Sequence, residues 1–207
     1  MAMPSLTAVG PSLADYVSGQ YDPGANWFKR TSWYLVNAII FQSWLCPMSS
    51  VKAALLRIFG AHIGAGLVIK PRVNIKHPWR LTLGDHVWIG EGVWIDNLVM
   101  VHIGSNVCLS QGAYILTGSH DYSDPSFRLI LGEVYLEDGA WIAARSMVCP
   151  GVRCGRNAVI TVGSVLRKNA ESDGIYAGNP AELIRKRTIR DRNLGTPVAT
   201  ADSSSII

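Results

Sequence analysis

The 207-residue sequence has few charged residues and no cysteine pattern typical of a metal or redox site. Charged residues make up 16% of the chain and the formal net charge is +4, with the excess late, between 185 and 192. This distribution suits a solvated face or a small anionic ligand, so we expect no nucleic-acid partner. The four cysteines have no C-x-x-C spacing, which favours free thiols in a reducing compartment over a disulfide framework.

The chain also lacks a secretory signal and a membrane-spanning run. Its first twenty residues contain no Lys or Arg and no continuous apolar segment. The most apolar stretch, 33–48, is interrupted by Asn37 and Gln42 and is shorter than the ~20 residues that a spanning helix needs. We interpret it as an amphipathic helix that lies on the protein or on a membrane surface. We therefore predict a cytoplasmic protein, with peripheral contact at the inner face of the membrane as a further hypothesis.

An aliphatic residue returns at every sixth position over most of the chain. No α-helix or ordinary strand has this period. Small residues follow several of these positions, among them Gly64, Gly84, Gly90, Gly104 and Gly155. The positions are Ile63, Ile69, Ile75, Leu83, Ile89, Ile95, Ile103, Leu109 and Ile115, and then Leu136, Ile142, Val148, Cys154, Ile160 and Leu166.

The period of six is the signature of a parallel β-helix, so the predicted fold class is all-β. Three hexads form one triangular coil, and roughly five coils stack at the spacing of neighbouring strands. We assign residues 60–178 to this β-helix, with a loop insertion at about 119–132. Residues 1–59 form an N-terminal extension with amphipathic helices, the second over 49–59. Residues 179–207 form a C-terminal helix, which starts at the Asn179–Pro180 turn, and a disordered tail.

Several segments resemble the hexapeptide-repeat acyltransferases, in particular the sugar O-acetyltransferases. The resemblance is carried by "LGDHVWIGEGVWID", "IGSNVCLSQGAYI", "LEDGAWIAARSMVCPGVRCGRNAVITVGSVL" and "GIYAGNPAELIRK". A Trp-rich N-terminal helix and the "GSHDY" stretch are most similar to colanic acid and exopolysaccharide acetyltransferases. The resemblance implies a left-handed coil, a homotrimer with active sites between subunits, acetyl-CoA as donor and no metal. It also implies a sugar or lipid-linked oligosaccharide as acceptor.

His120 is the candidate catalytic residue. Transfer of an acetyl group to a hydroxyl needs a base, and an imidazole with a reference pKa of about 6.5 is largely neutral at pH 7. The family's base is a histidine at the end of a coil where a long loop departs, and His120 occupies that position. The alternative is a surface-loop histidine without a role.

For the acceptor, the resemblance points to Asp96 or Asn97, which interrupt the repeat in "WIDN". Asp121 is the alternative next to His120, and Tyr122 and Phe127 are candidates to contact a sugar ring. An asparagine that these enzymes carry earlier in the same coil is Gly90 here, so the acceptor can differ from a simple galactoside. Trp79, Trp88, Trp94 and Trp141 could suggest carbohydrate stacking, but we interpret Trp88, Trp94 and Trp141 as external packing residues, because each is the sixth residue of a hexad.

The resemblance also supplies candidate coenzyme A contacts. Ala144, Val162 and Gly163 match the positions that bind the pantetheine arm, and their alternative role is corner packing. Arg167, Lys168 and Arg185 match the cations that meet the phosphates, and their alternative is ordinary solvated charge.

Other functions known for the same fold require different residues. A zinc site like that of γ-class carbonic anhydrase needs further histidines, and positions 115 and 125 are Ile and Pro. The competing enzymatic function is N-acetyl transfer to an amino sugar or another amine. The competing non-enzymatic role is a trimeric scaffold, which has no need of a histidine at a loop origin.

Overall fold

The computed structural model describes residues 10–19 and 21–189, in which two helices precede a β-helix. Helix α1 spans Trp27–Val36 and continues as a π-helical turn over Asn37–Phe41, and α2 spans Ser49–Ile58. Short 3-10 turns lie at Leu13–Asp15 and Pro78–Arg80. Across these ranges, no helix is both long and apolar enough to cross a bilayer.

The two predicted helices are present, with one shift. The second matches its predicted range, whereas the first begins at Trp27 rather than at Trp33 and ends at Phe41. Its start is fixed by Asn26, whose side chain accepts the backbone N–H of Lys29 as an N-cap.

Three parallel sheets form the faces of the β-helix and confirm the predicted solenoid. Faces A and C each have five strands, and face B has a sixth parallel strand, so five complete coils are followed by part of another. Face A contains β1 (His62–Ile63), β4 (Leu81–Leu83), β7 (Val101–Ile103), β12 (Val134–Leu136) and β15 (Arg153–Cys154). Face B contains β2 (Val68–Ile69), β5 (Trp88–Ile89), β8 (Cys108–Leu109), β13 (Trp141–Ile142), β16 (Val159–Ile160) and β18 (Gly174–Gly178). Face C contains β3 (Asn74–Ile75), β6 (Trp94–Asp96), β9 (Tyr114–Leu116), β14 (Met147–Val148) and β17 (Val165–Leu166).

The predicted aliphatic positions fill the inside of the prism. All of them from Ile69 to Leu166 are at most 2% exposed, and Ile63 in the first coil is half-buried. Burial of the Cys154 thiol at one of these positions raises its pKa to about 12. The small residues after them are required by the close approach of successive coils. A Cβ on Gly84 would lie 2.6 Å from the backbone nitrogen of Ser105 in the next coil.

The helices satisfy the outward carbonyls of the first coil. Backbone hydrogen bonds run both ways between successive coils, as from Val68 N to Val87 O and from His86 N to Ala65 O, but the first coil has no coil below it to pair with its carbonyls on that side. Side chains from α1 and α2 donate to them instead. Trp33 Nε1 donates to Ile75 O, Ser49 Oγ to Ile69 O, Lys52 Nζ to Lys70 O, and the Arg57 guanidinium to Ile63 O and Gly64 O.

The predicted C-terminal helix is wrong. Residues Ala181–Lys186 form strand β19, which turns back after Asn179–Pro180 and pairs antiparallel with β18. The edge of β18 would otherwise present unpaired backbone groups, and their pairing outweighs the helical spacing of the sequence. The predicted disordered tail, 195–207, lies outside the described residues, which end at 189.

Candidate active site

A β-hairpin, here called the arm, leaves the prism where the third coil passes from face C to face A. We name this corner of the prism the C/A edge. The arm consists of β10 (Gly118–His120) and β11 (Leu129–Leu131), paired antiparallel. Its base is closely packed, because a Cβ on Gly118 would lie 2.5 Å from Leu98 Cδ1.

His120 ends the first strand of the arm, and its ring is held on two sides. Nδ1 lies 2.9 Å from the carbonyl oxygen of Phe127, and the imidazole stacks on the Phe127 ring at 4.3 Å between centroids. A carbonyl can only accept, so Nδ1 carries the proton and donates it. This bond leaves Nε2 as the unprotonated nitrogen of the neutral ring, which is the state a general base requires.

Tyr16 closes a third side of the imidazole, a contact that no sequence pattern predicts. Its ring meets that of His120 edge to face at 5.7 Å. The N-terminal segment is tied to the arm by a 2.9 Å hydrogen bond from Ser12 N to Pro125 O. Only a long-range contact places Tyr16 here, since no repeat or motif includes it.

The two acceptor candidates in "WIDN" lie one coil below the arm and differ in their surroundings. The carboxylate of Asp96 forms an ion pair with Lys76 at 2.9 Å, and its backbone carbonyl accepts the hydroxyl of Thr117. Asn97 is completely buried, and its amide bonds the backbone of His77 and Arg80. Its polar atoms are thus used within the fold.

Asp121 and Tyr122 occupy the exposed turn of the arm. Asp121 accepts the backbone N–H of Ser123 and lies 3.5 Å from the Arg128 guanidinium, so it shapes the turn. Tyr122 is 88% exposed. Neither is the group that orients the imidazole; the carbonyl of Phe127 takes that role.

The candidate pantetheine residues lie together on another edge of the prism. Ala144 and Gly163 occur between faces B and C in successive coils, and Gly163 N donates to Ala144 O at 3.0 Å. Val162 beside them is 61% exposed. The width of face C separates this group from the arm.

The three candidate phosphate cations are not brought together. Arg167 and Lys168 lie on the C/A edge two coils beyond the arm and line a cavity of about 390 Å³ together with Glu182. Arg185 lies toward the other end of β19, opposite Ile175. It lies four residue steps from Ala181, which is about 13 Å along a strand.

Within residues 10–19 and 21–189, no group of three or more His, Cys, Asp or Glu side chains could hold a metal ion.

Comparisons with known proteins identify the family. The hexapeptide-repeat containing acetyltransferase VCA0836 from Vibrio cholerae, crystallised with acetyl coenzyme A, superposes with a TM-score of 0.73 at 21% identity, over 86% of this chain and all of that one. The Escherichia coli (strain K12) protein named "Putative colanic acid biosynthesis acetyltransferase WcaF" is 37% identical over 164 residues, covering 79% of this chain and 90% of that protein. The chain belongs to the hexapeptide-repeat acetyltransferases. As a member of this family it is an acyltransferase.

A more distant member of the hexapeptide-repeat acetyltransferases is similar over a shorter region. The galactoside O-acetyltransferase of Lactococcus lactis is 32% identical over 123 residues, covering 55% of this chain and 58% of that protein. A search against models of protein families found no match.

Proposed function

We propose that this hexapeptide-repeat acetyltransferase transfers the acetyl group of acetyl-CoA to a sugar hydroxyl in exopolysaccharide biosynthesis, with His120 as general base. The observation that carries the proposal is the hydrogen bond between Nδ1 and the Phe127 carbonyl, which leaves Nε2 to accept a proton. The names of the two relatives, one for colanic acid biosynthesis and one for galactoside O-acetylation, support a carbohydrate acceptor.

In the proposed reaction, the imidazole makes the hydroxyl a competent nucleophile. Acetyl-CoA is the donor substrate and supplies the activated thioester. Nε2 of His120 takes the hydroxyl proton as the oxygen–carbon bond forms, and the imidazolium later delivers that proton to the departing thiolate. Phe127 and Tyr16 hold the ring so that it does not rotate between the two proton transfers.

The separation of the candidate coenzyme A residues supports a trimer with shared sites. Ala144, Val162 and Gly163 lie across face C from His120 of the same chain, so a pantetheine arm on that edge requires an imidazole from a neighbouring protomer. Arg167 and Lys168 lie on the C/A edge, as His120 does, and are about 10 Å from the arm along the axis of the prism, which is two strand spacings. We therefore place the donor phosphates at this basic pair, with the thioester toward the arm. Glu182 beside the pair limits its positive charge.

The outward side of the N-terminal helices supports a lipid-linked acceptor at the inner face of the membrane. Large apolar side chains are exposed on α1 and its π-helical turn (Phe28, Leu35 and Ile39) and on the segment that follows (Trp44 and Leu45). Such a cluster suits the interfacial zone of a bilayer. Flotation with vesicles of phosphatidylglycerol and phosphatidylethanolamine should carry the wild type upward and leave Phe28→Ser/Leu45→Ser behind. A wild type that stays in the soluble fraction would exclude this part of the proposal.

Substitution of His120 tests the mechanism. We expect His120→Ala to lower kcat by ~10²–10⁴-fold, the usual contribution of a general base, and to leave acetyl-CoA binding unchanged. The matched control is His62→Ala, which removes an exposed histidine on the first coil. Unchanged turnover in His120→Ala would reject the mechanism. Pairs of acceptors that differ only in a hydroxyl or an amino group distinguish O-acetylation from N-acetylation, and light scattering tests the trimer.

A further inference from the structure

A cavity of about 460 Å³ opens between helix α1 and face C of the first two coils. We call it the aromatic groove. Its principal lining residues are Trp27, Arg30, Tyr34, Lys76, Trp79 and Trp94. The prediction that Trp94 serves in external packing is therefore incomplete, since its ring contributes to an open surface.

The groove is built on a fixed frame. Trp27, Arg30 and Tyr34 follow one another at intervals of three and four residues, so they lie on one side of α1. Trp33, which also lines the cavity, anchors the helix beside them: it is 2% exposed and donates its indole N–H to Ile75 O. On the floor, the ring of Trp94 stacks on that of Tyr114 at 4.9 Å.

The aromatic side chains of the groove remain accessible. Trp27 is 65% exposed and Tyr34 is 69% exposed. Large apolar rings left in water contribute little to the fold, whereas contiguous ones at a rigid concave surface are typical of binding sites. The apolar face of a pyranose ring packs well on such aromatic faces, and its hydroxyls bond to nearby amides and cations. Gln42 and Asn74 line the same cavity, where Gln42 Nε2 donates to Asn74 Oδ1, so the principal partners for sugar hydroxyls are the cations.

The charge of the lining selects among carbohydrates. It contains two cations, Arg30 and Lys76, and no acidic side chain. Lys76 is paired with Asp96, but Arg30 has no ion pair with any residue that the structure describes. A guanidinium offers a planar pair of donors that fits a carboxylate or a phosphate. The groove thus suits a sugar chain that carries a negative group.

The groove and the imidazole lie along the same edge of the prism. His77 in the groove bonds to Asn97 one coil higher, and the hydroxyl of Thr117, one coil higher again, bonds to the carbonyl of Asp96. Two coil steps separate His77 from Thr117, which is about 10 Å. His120 follows three residues later. The N-terminal segment spans the same interval, from Tyr16 at the imidazole to Trp27 at the groove.

We propose that the aromatic groove binds the distal sugars of an anionic oligosaccharide, whose negative group pairs with Arg30 while its reactive hydroxyl reaches His120. This inference rests on the proposed function, because it assigns an acceptor to the same site. It extends that function from a single sugar to a chain of several residues with a carboxylate or a phosphate.

Direct binding tests the groove without relying on catalysis. An array of oligosaccharides of three to six sugars is probed with labelled full-length protein. It contains matched neutral, uronate-bearing and phosphate-bearing members. We expect saturable binding to at least one anionic member, and the array shows whether the negative group is a carboxylate or a phosphate. The best ligand and its neutral counterpart are then titrated by calorimetry.

Three variants identify the binding surface. Arg30→Gln should weaken the anionic ligand roughly 10-fold and change the neutral counterpart little. Trp27→Ala should weaken both ligands. Trp88→Ala removes an exposed tryptophan outside the groove and should change neither.

Three results would contradict all or part of this proposal. Absence of binding to every member of the array, or affinities unaffected by Trp27→Ala and Arg30→Gln, would overturn the proposal. Equal affinity for neutral and anionic ligands would refute the role of Arg30. Transfer to a single sugar that depends on His120, in a protein whose groove binds nothing, would retain the proposed function and reject only this inference.

Discussion

Removal of the Phe127 ring should slow catalysis by disturbing the orientation of His120. The Phe127→Ala variant loses the ring stacked at 4.3 Å on the imidazole but keeps the carbonyl that accepts from Nδ1. That carbonyl is held by the surrounding turn, in which Phe127 N donates to Asp124 O at 2.8 Å. An aromatic pair contributes about 0.5–1.5 kcal/mol, so loss of this orientation should lower kcat by about 2- to 12-fold.

Two measurements separate this effect from a general loss of structure. Steady-state kinetics should show a lower kcat with the KM for acetyl-CoA nearly unchanged. ¹⁵N NMR of histidine-labelled protein should show the Nδ1–H tautomer at His120 in the wild type, with more exchange in the variant. Ile130→Ala is the control, because Ile130 is exposed on the second strand of the same arm. A wild-type imidazole protonated at Nε2 in its neutral form would refute the reasoning.

Three further predictions concern stability. Burial lowers the pKa of His77 from 6.5 to about 4, so the stabilisation of the fold by the neutral imidazole is complete above pH 6.5 and is lost as the pH falls toward 4. The free energy of unfolding in urea should fall between pH 7.5 and pH 4.5 by about 2–3 kcal/mol more in the wild type than in His77→Asn. Gly84→Ala places a methyl group 2.6 Å from Ser105 N and should reduce the free energy of unfolding by about 1–3 kcal/mol, whereas an unchanged Tm would contradict the close stacking of coils. Trp33→Phe leaves the carbonyl of Ile75 without its indole donor, and differential scanning calorimetry should show a loss of about 1–3 kcal/mol.

The β-helix could be predicted from the sequence because its core residues recur at a short, fixed spacing along the chain. Each coil places an aliphatic side chain inside the prism at a fixed interval, so residues such as Ile89 and Leu109 indicate both the period and the stacking of coils. The position of His120 at the root of an arm was visible for the same reason. The repeat stops there, and a segment that leaves the prism must start at a corner.

The other parts of the candidate site depend on contacts between distant segments. The Phe127 carbonyl orients His120 through a turn that no repeat position specifies, and Tyr16 reaches the imidazole from more than a hundred residues away. The apolar residues of β19 have the spacing of a helix, but pairing with the free edge of β18 makes this segment a strand. The amide of Asn97 is typical of a ligand-binding side chain, and only its burial shows that it bonds to the backbone instead.

The helices below the first coil also determine how long the solenoid is. A stack of coils has no intrinsic end, since every layer offers the next one a template of backbone N–H and C=O groups. Here Trp33, Lys52 and Arg57 occupy that template from below, and β19 covers one side of the opposite end. The solenoid is therefore capped at its lower end and along one face of its upper end. Loss of the helical cap would turn its lowest layer into a surface on which other copies can grow.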